Sequence, residues 1–135
     1  MTTRKARVLI ADDEPHIRAL LKAVVGQLGA EVVAEAIDGL EAVRLFVEFK
    51  PDITLLDINM PKLTGEAAIE QMLRQKPDAL VIMLTAQDSV DSVRRCVDLG
   101  ARNYILKNNS AEDIARFLKD SWKGYLEELR EGDPG

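Results

Sequence analysis

Four carboxylates, a hydroxyl and an ammonium stand where short apolar runs end. Val8 to Ala11 runs into Asp12-Asp13-Glu14, and Ile53 to Leu56 runs into Asp57. Ala79 to Leu84 stops at Thr85, and the short run ending in Leu106 stops at Lys107. Runs apolar on both sides of the pleat suit strands covered by helices on both faces, as in a parallel sheet. Ligands of such sheets bind outside the carboxyl ends of the strands, so these side chains converge on one edge if the strands are parallel. Carboxylates gathered there repel by about 4 kcal/mol per pair at 4 Å and an effective dielectric near 20. A hard divalent cation with oxygen ligands, Mg²⁺ in a cell, offsets that repulsion. A carboxylate nucleophile, a metal, a lysine and a hydroxyl together describe phosphoryl transfer onto a carboxylate.

The elements that position these groups follow one another in strict alternation. Ala6 to Ala11 reads as a first strand, and Pro15 opens a helix at a position where its missing N–H does no harm. Ile17, Leu20, Leu21, Val24, Val25 and Leu28 follow at helical spacing, with Gly29 as a cap. Glu31 to Ala36 is a second strand. Asp38-Gly39 begins a second helix with Leu40, Val43 and Val47 on its apolar stripe and Phe46 and Phe49 beside it, closed by Lys50-Pro51. The third strand ends at Asp57, and a turn with Pro61 and Gly65 leads to a helix marked by Ala68, Ile69, Met72 and Leu73. The strand from Ala79 to Leu84 precedes a fourth helix read from Val90, Val93 and Val97, with Gly100 as its cap. Asn103 to Leu106 is the fifth strand. Ser110 caps a fifth helix whose stripe is Ile114, Phe117, Leu118, Ser121, Trp122, Tyr125 and Leu129. Five strand-then-helix units predict an α/β fold: a doubly wound, five-stranded parallel sheet with five helices.

Whole-chain properties narrow the function classes. The chain has 135 residues, 47% hydrophobic and 30% charged, which fits one domain with a real core. No apolar run approaches the ~20 residues of a membrane span, and the basic start at Met1 to Lys5 lacks a signal-peptide core; a cytoplasmic location is expected. The single cysteine, Cys96, excludes an internal disulfide and a multi-cysteine zinc site. A net charge of −5 argues against nucleic-acid binding by this chain itself.

Asp12-Asp13-Glu14-Pro15, Asp57-Ile-Asn-Met-Pro61 with Gly65, Thr85-Ala86 and Lys107 occur in order at the proper element ends. In this the chain resembles the receiver domain of bacterial two-component response regulators over roughly residues 6 to 120. The resemblance implies a flavodoxin-like strand order 2-1-3-4-5. It implies that residues 1–135 are one receiver domain, core about 6–120, with a last helix extended to about 130. It implies that Asp57 accepts a phosphoryl group from a histidine kinase or phosphotransfer protein, with Mg²⁺ (or Mn²⁺ in its place) as cofactor. By the same resemblance Asp13 and Asp57 would ligate the metal with the backbone carbonyl of Asn59, and Asp12 would act mainly through water. It likewise implies that Lys107 pairs with the phosphoryl group, that Thr85 bonds to it after transfer, and that Tyr104 is the switch aromatic. Asn59 and Gln87 hold the positions that tune phosphate lifetime. The family usually has proline after this lysine, often through a cis bond; here Asn108 follows Lys107, and a cis bond before a non-proline costs ~2.5–4 kcal/mol.

The expected role is a stand-alone phospho-switch, not an enzyme, that signals to an unknown downstream protein through the face of the fourth helix, fifth strand and fifth helix. That face, or the long last helix with Trp122, Tyr125, Leu126 and Leu129, could also serve homodimerisation. A receiver cut from a longer regulator would read the same. A Mg²⁺-dependent aspartyl-phosphate phosphatase would need an acid two positions after Asp57, where Asn59 stands. A flavodoxin-like cofactor binder would need a phosphate-cradling loop after the first strand, where three acids stand. A degenerate receiver would lack the acidic set.

Overall fold

A computed structural model of the protein describes residues 5–86 and 90–131. Five strands alternate with five helices: β1 (Arg7–Ala11), α1 (Pro15–Gln27), β2 (Glu31–Ala36), α2 (Gly39–Phe49), β3 (Ile53–Asp57), α3 (Gly65–Gln75), β4 (Leu80–Thr85), α4 (Val90–Leu99), β5 (Asn103–Leu106) and α5 (Ala111–Glu131). The strands form one parallel sheet in the order β2-β1-β3-β4-β5. This is the doubly wound arrangement that the alternation predicts. β3 lies at the centre, and all five of its residues are buried. β4 is buried throughout as well.

The sheet separates two apolar layers. Leu9, Leu56, Val81 and Met83 point to one side, where they meet Ala42, Leu45 and Phe46 of α2, Ala68, Ile69 and Met72 of α3, and Cys96 of α4. Val8, Ile10, Leu55, Ile82 and Ile105 point to the other, against Ile17, Leu21, Val24 and Val25 of α1 and Ile114, Leu118 and Tyr125 of α5. The alternation of side chains along each strand assigns the two sets.

Two helices turn a different face to the sheet from the one their valines suggest. In α2 the buried residues are Gly39, Ala42, Leu45 and Phe46, whereas Leu40 is 54% exposed and Val47 45%. Small residues at 39 and 42 let the helix come close, and Phe46 fills the space beyond; with apolar residues on several sides, close approach decides the face. In α4 only Cys96 is buried, with Val93 partly covered, while Val90 and Val97 lie exposed. Leu28 and Phe117 are also about two-fifths exposed although their spacing places them on core stripes.

Helix ends follow local chemistry. Asp38 caps α2 by accepting from the Glu41 N–H at 2.8 Å, and the Glu41 carboxylate accepts from the Ile37 N–H at 3.0 Å. Thr64 caps α3 through the Ala67 N–H, and Ser110 caps α5 through the Asp113 N–H. α5 runs for 21 residues, and its distal half is anchored rather than projecting free. The Tyr125 hydroxyl donates to the Asp78 carbonyl at 2.9 Å, its ring stacks with Trp122, and Arg102 lies over it at 5.3 Å while pairing with Glu128. Leu126 and Leu129 beyond it remain about two-fifths exposed.

Gly124 sits inside α5, and a Cβ added there meets nothing within 4 Å. Gly124→Ala is therefore expected to stabilise the fold by about 0.5–1 kcal/mol, since alanine loses less backbone entropy in a helix. A rise in the urea midpoint at constant slope checks this; no rise overturns it.

Candidate functional site

Sheet register brings the acids together. Ala11 pairs with Leu56 across the β1–β3 ladder, so the next residues, Asp12 and Asp57, leave the sheet side by side. Asp57 pairs on its other side with Leu84, one residue before Thr85, and Thr85 pairs with Leu106, one residue before Lys107. Asp12, Asp57 and Thr85 are buried, whereas Asp13 is exposed. Carboxylate oxygens of Asp12, Asp13 and Asp57 all lie within 4.8 Å of one another.

Local hydrogen bonds orient this set. The Glu14 N–H donates to Asp12 Oδ1 at 2.8 Å, and the Asn59 N–H donates to Asp57 Oδ1 at 3.1 Å. Gly65 N–H donates to the Ile58 carbonyl at 2.7 Å, folding the loop after β3 tightly over the strand end. A Cβ at Gly65 would lie 2.4 Å from the Asp57 carbonyl oxygen, so glycine is required by the space there. On the far side the Lys107 N–H donates to the Thr85 carbonyl at 2.9 Å, extending the β4–β5 ladder to the lysine.

The Lys107 ammonium is the centre of charge. Its Nζ lies 2.9 Å from Asp12 Oδ2, 3.0 Å from Asp57 Oδ2 and 2.8 Å from Glu14 Oε2. Its hydrogen bond is aimed at Glu14, and the buried Oδ2 atoms of Asp12 and Asp57 receive no aligned donor. Burial, then the neighbouring Asp12 charge, pushes the Asp57 carboxyl up to about 6, although Lys107 and the Asn59 N–H pull it down. Burial raises Asp12 too, against the same lysine. Lys107 holds Glu14 below the ordinary glutamate value. Burial works against the lysine's own charge, but the three carboxylates outweigh it and keep the ammonium protonated.

Two buried carboxylate oxygens without an aligned donor, beside a third acid, make an all-oxygen donor set that fits a hard divalent cation. Asp12, Asp13 and Asp57 could hold it. Such an ion supplies charge neutralisation for a phosphoryl oxygen.

The other expected residues divide. The Thr85 hydroxyl donates to the Ala86 carbonyl at 2.9 Å and makes no bond to Asp57. Tyr104 is 46% exposed, with its N–H bonded to the Asn103 side chain. The Asn59 side chain is exposed, and Gln87 lies outside the described residues. No cis peptide occurs among the described residues, so Lys107-Asn108 is trans. The residue that sequence reasoning left without a role is Glu14. It follows the acidic pair, but its partner is 93 positions away and three strands across the sheet; only its charge and its place on the same rim hinted at the contact.

The model of the response regulator receiver domain matches residues 8–119. The chain belongs to the response regulator receiver family. The chemotaxis protein CheY of Listeria monocytogenes is 38% identical over 117 residues, covering 87% of this chain and 98% of that protein. The transcriptional regulatory protein LiaR of Bacillus subtilis is 39% identical over 87% of this chain but only 56% of its own length. The response regulator domain of Thermotoga maritima CheB superposes with a TM-score of 0.81 at 30% identity, covering 92% of this chain and 98% of that one. The receiver is thus CheY-like and flavodoxin-like in fold, a signalling component of two-component systems. Receivers of this family act as phospho-aspartate switches rather than as catalytic enzymes, bind Mg²⁺ at an acidic pocket, and engage histidine kinases and downstream targets. Among the described residues no helix is long and apolar enough to cross a membrane.

Proposed function

We propose that this receiver accepts a phosphoryl group on Asp57, in a Mg²⁺-dependent reaction, from a histidine kinase or phosphotransfer protein. The observation that carries the reading is Asp57 itself: buried at the strand end beside Asp12, with Lys107 Nζ 3.0 Å away. Asp13 and Asp57, the Asn59 carbonyl and, through water, Asp12 would hold the ion, and Mn²⁺ would serve in its place. Lys107 stabilises the charge that develops on the phosphoryl oxygens. Thr85 gives up its bond to Ala86 and turns to the phosphoryl group, and Tyr104 moves inward from its exposed position. Asn59 and Gln87 set the lifetime of the product.

The output is a change in protein–protein contact on the α4-β5-α5 face of this receiver domain. Exposed Val97, Tyr104 and Phe117 on these elements offer apolar contact area for a partner or for a second copy of the chain, and Leu126 and Leu129 extend it along α5. To take an active state from 1% to 99% the phosphoryl group must favour it by about 5.5 kcal/mol. Charge-assisted bonds to Lys107, Thr85 and backbone N–H groups supply energy of that order.

Incubation with a small acyl phosphate, with and without Mg²⁺, followed by mass measurement tests the reading. One added phosphoryl group is expected in the wild type with Mg²⁺ and none in Asp57→Asn. An unlabelled wild type under conditions that label a known receiver, or an adduct that persists in Asp57→Asn, overturns it.

A further inference from the structure

Glu14 stands at the N-cap of α1, where a side chain ordinarily accepts a bond from the first helical turn. Its carboxylate makes no such bond. The cap is left to its backbone carbonyl, which accepts from the Ile17 and Arg18 N–H groups at 3.1 Å each. The side chain instead reaches over the rim and takes the Lys107 hydrogen bond at 2.8 Å. Lys107 is thereby shared: Glu14 takes its best-aligned hydrogen bond at 2.8 Å, while Asp12 and Asp57 hold the same ammonium at 2.9 and 3.0 Å with poorer alignment.

We infer that Glu14 is a positioning residue that restrains the Lys107 ammonium and so slows phosphoryl transfer to Asp57. The inference rests on the receiver reading above. In the transfer an Asp57 carboxylate oxygen attacks phosphorus, and a new P–O bond forms as the bond to the donor's acyl carboxylate breaks. The acyl carboxylate leaves with the electron pair, and no proton is gained or lost. Negative charge gathers on the moving phosphoryl oxygens, and Lys107 is the cation placed to meet it. A lysine already bonded to a glutamate must exchange that bond for one to the phosphoryl group, and the exchange falls in the transition state. A bound cation at Asp12, Asp13 and Asp57 sharpens the effect. With their charge neutralised by such an ion, Asp12 and Asp57 would hold the ammonium less, and Glu14 would be the lysine's remaining carboxylate among the three.

Glu14→Gln keeps the size of the side chain and removes its charge. With acyl phosphate and Mg²⁺, the variant is expected to label about three- to tenfold faster at saturating donor, the scale of one charge-assisted bond weakened at a half-exposed site. The donor concentration for half-maximal rate is expected to stay unchanged, because the lysine acts on the transition state rather than on donor binding. In a Lys107→Ala background, slower overall, the same Glu14→Gln change is expected to have no effect. Equal or slower labelling of Glu14→Gln beside a labelled wild type overturns the inference and leaves the receiver reading standing. An acceleration of the same size in the Lys107→Ala background also overturns it, since Glu14 would then act by repelling the anionic donor. An unlabelled wild type removes the receiver reading itself, and the inference with it.

Discussion

Asp57→Asn is expected to melt at a higher temperature than the wild type in metal-free buffer at pH 7.5, while losing the ability to be phosphorylated. The wild-type carboxylate is 2% exposed beside Asp12, and folding moves its pKa from 3.8 to about 6. The folded state therefore binds more protons than the unfolded chain between those values. Its stability contribution is fully present below about pH 4 and is lost as pH rises through about 6. At about 1.36 kcal/mol for each unit of pKa the ionised group costs the metal-free fold roughly 3 kcal/mol. Asparagine also leaves Lys107 with one partner fewer, which brings the expected gain to about 1–2 kcal/mol. Melting in chelator from pH 5 to pH 8 checks both the size and the sign. The wild type should lose stability across that range, and the variant should lose less, its remaining slope coming from Asp12, whose carboxyl is raised as well. Mg²⁺ should then raise the wild-type midpoint by linkage and raise that of Asp57→Asn much less. A variant that melts at or below the wild type in chelator at pH 7.5 would show that the Asp57 charge is not costly.

The same acids show how far the chain could be read before it was folded. Four strands that stop at an acid, a threonine or a lysine, in a strictly alternating chain, are enough to place Asp12, Asp57, Thr85 and Lys107 on one rim. Topology alone does that, because parallel strands have their carboxyl ends on one side. Periodicity was a poorer guide to which helix face is buried. α2 carries apolar residues on several sides, and the choice fell to small Gly39 and Ala42, whose advantage is close approach rather than hydrophobicity. Contacts between side chains from distant elements were not legible at all. Glu14 and Lys107 share no spacing rule; their contact depends on the width of three strands and the reach of two long side chains. The trans peptide before Asn108, by contrast, follows from residue type, since a cis bond before a non-proline costs ~2.5–4 kcal/mol.

Gly39→Ala is expected to be among the most damaging single changes in this protein, although alanine is the better helix former. A Cβ at residue 39 would lie 1.9 Å from the Leu63 carbonyl oxygen and 2.6 Å from its carbonyl carbon. Backbone atoms cannot swing aside as the end of a flexible side chain can. Either the start of α2 or the loop after β3 must move. That loop is held from both ends: the Gly39 N–H donates to the Pro61 carbonyl at 3.3 Å, and Gly65 is bonded to Ile58 at 2.7 Å. Moving the loop outward strains the Gly65 turn, which lies against the Asp57 carbonyl, and so reaches the candidate site at Asp57. Overpacking of this kind costs about 1–3 kcal/mol where side chains can adjust, and with backbone on one side the loss should reach or pass the upper end. Gly124→Ala provides the comparison, since the same methyl group added to an open helix face should stabilise. In urea titrations the two variants should move the midpoint in opposite directions, and labelling of Gly39→Ala by acyl phosphate should slow even where it remains folded. A Gly39→Ala midpoint within about 0.5 kcal/mol of the wild type, the ordinary range for surface substitutions, would mean that the junction of α2 with this loop is compliant and does not brace the site.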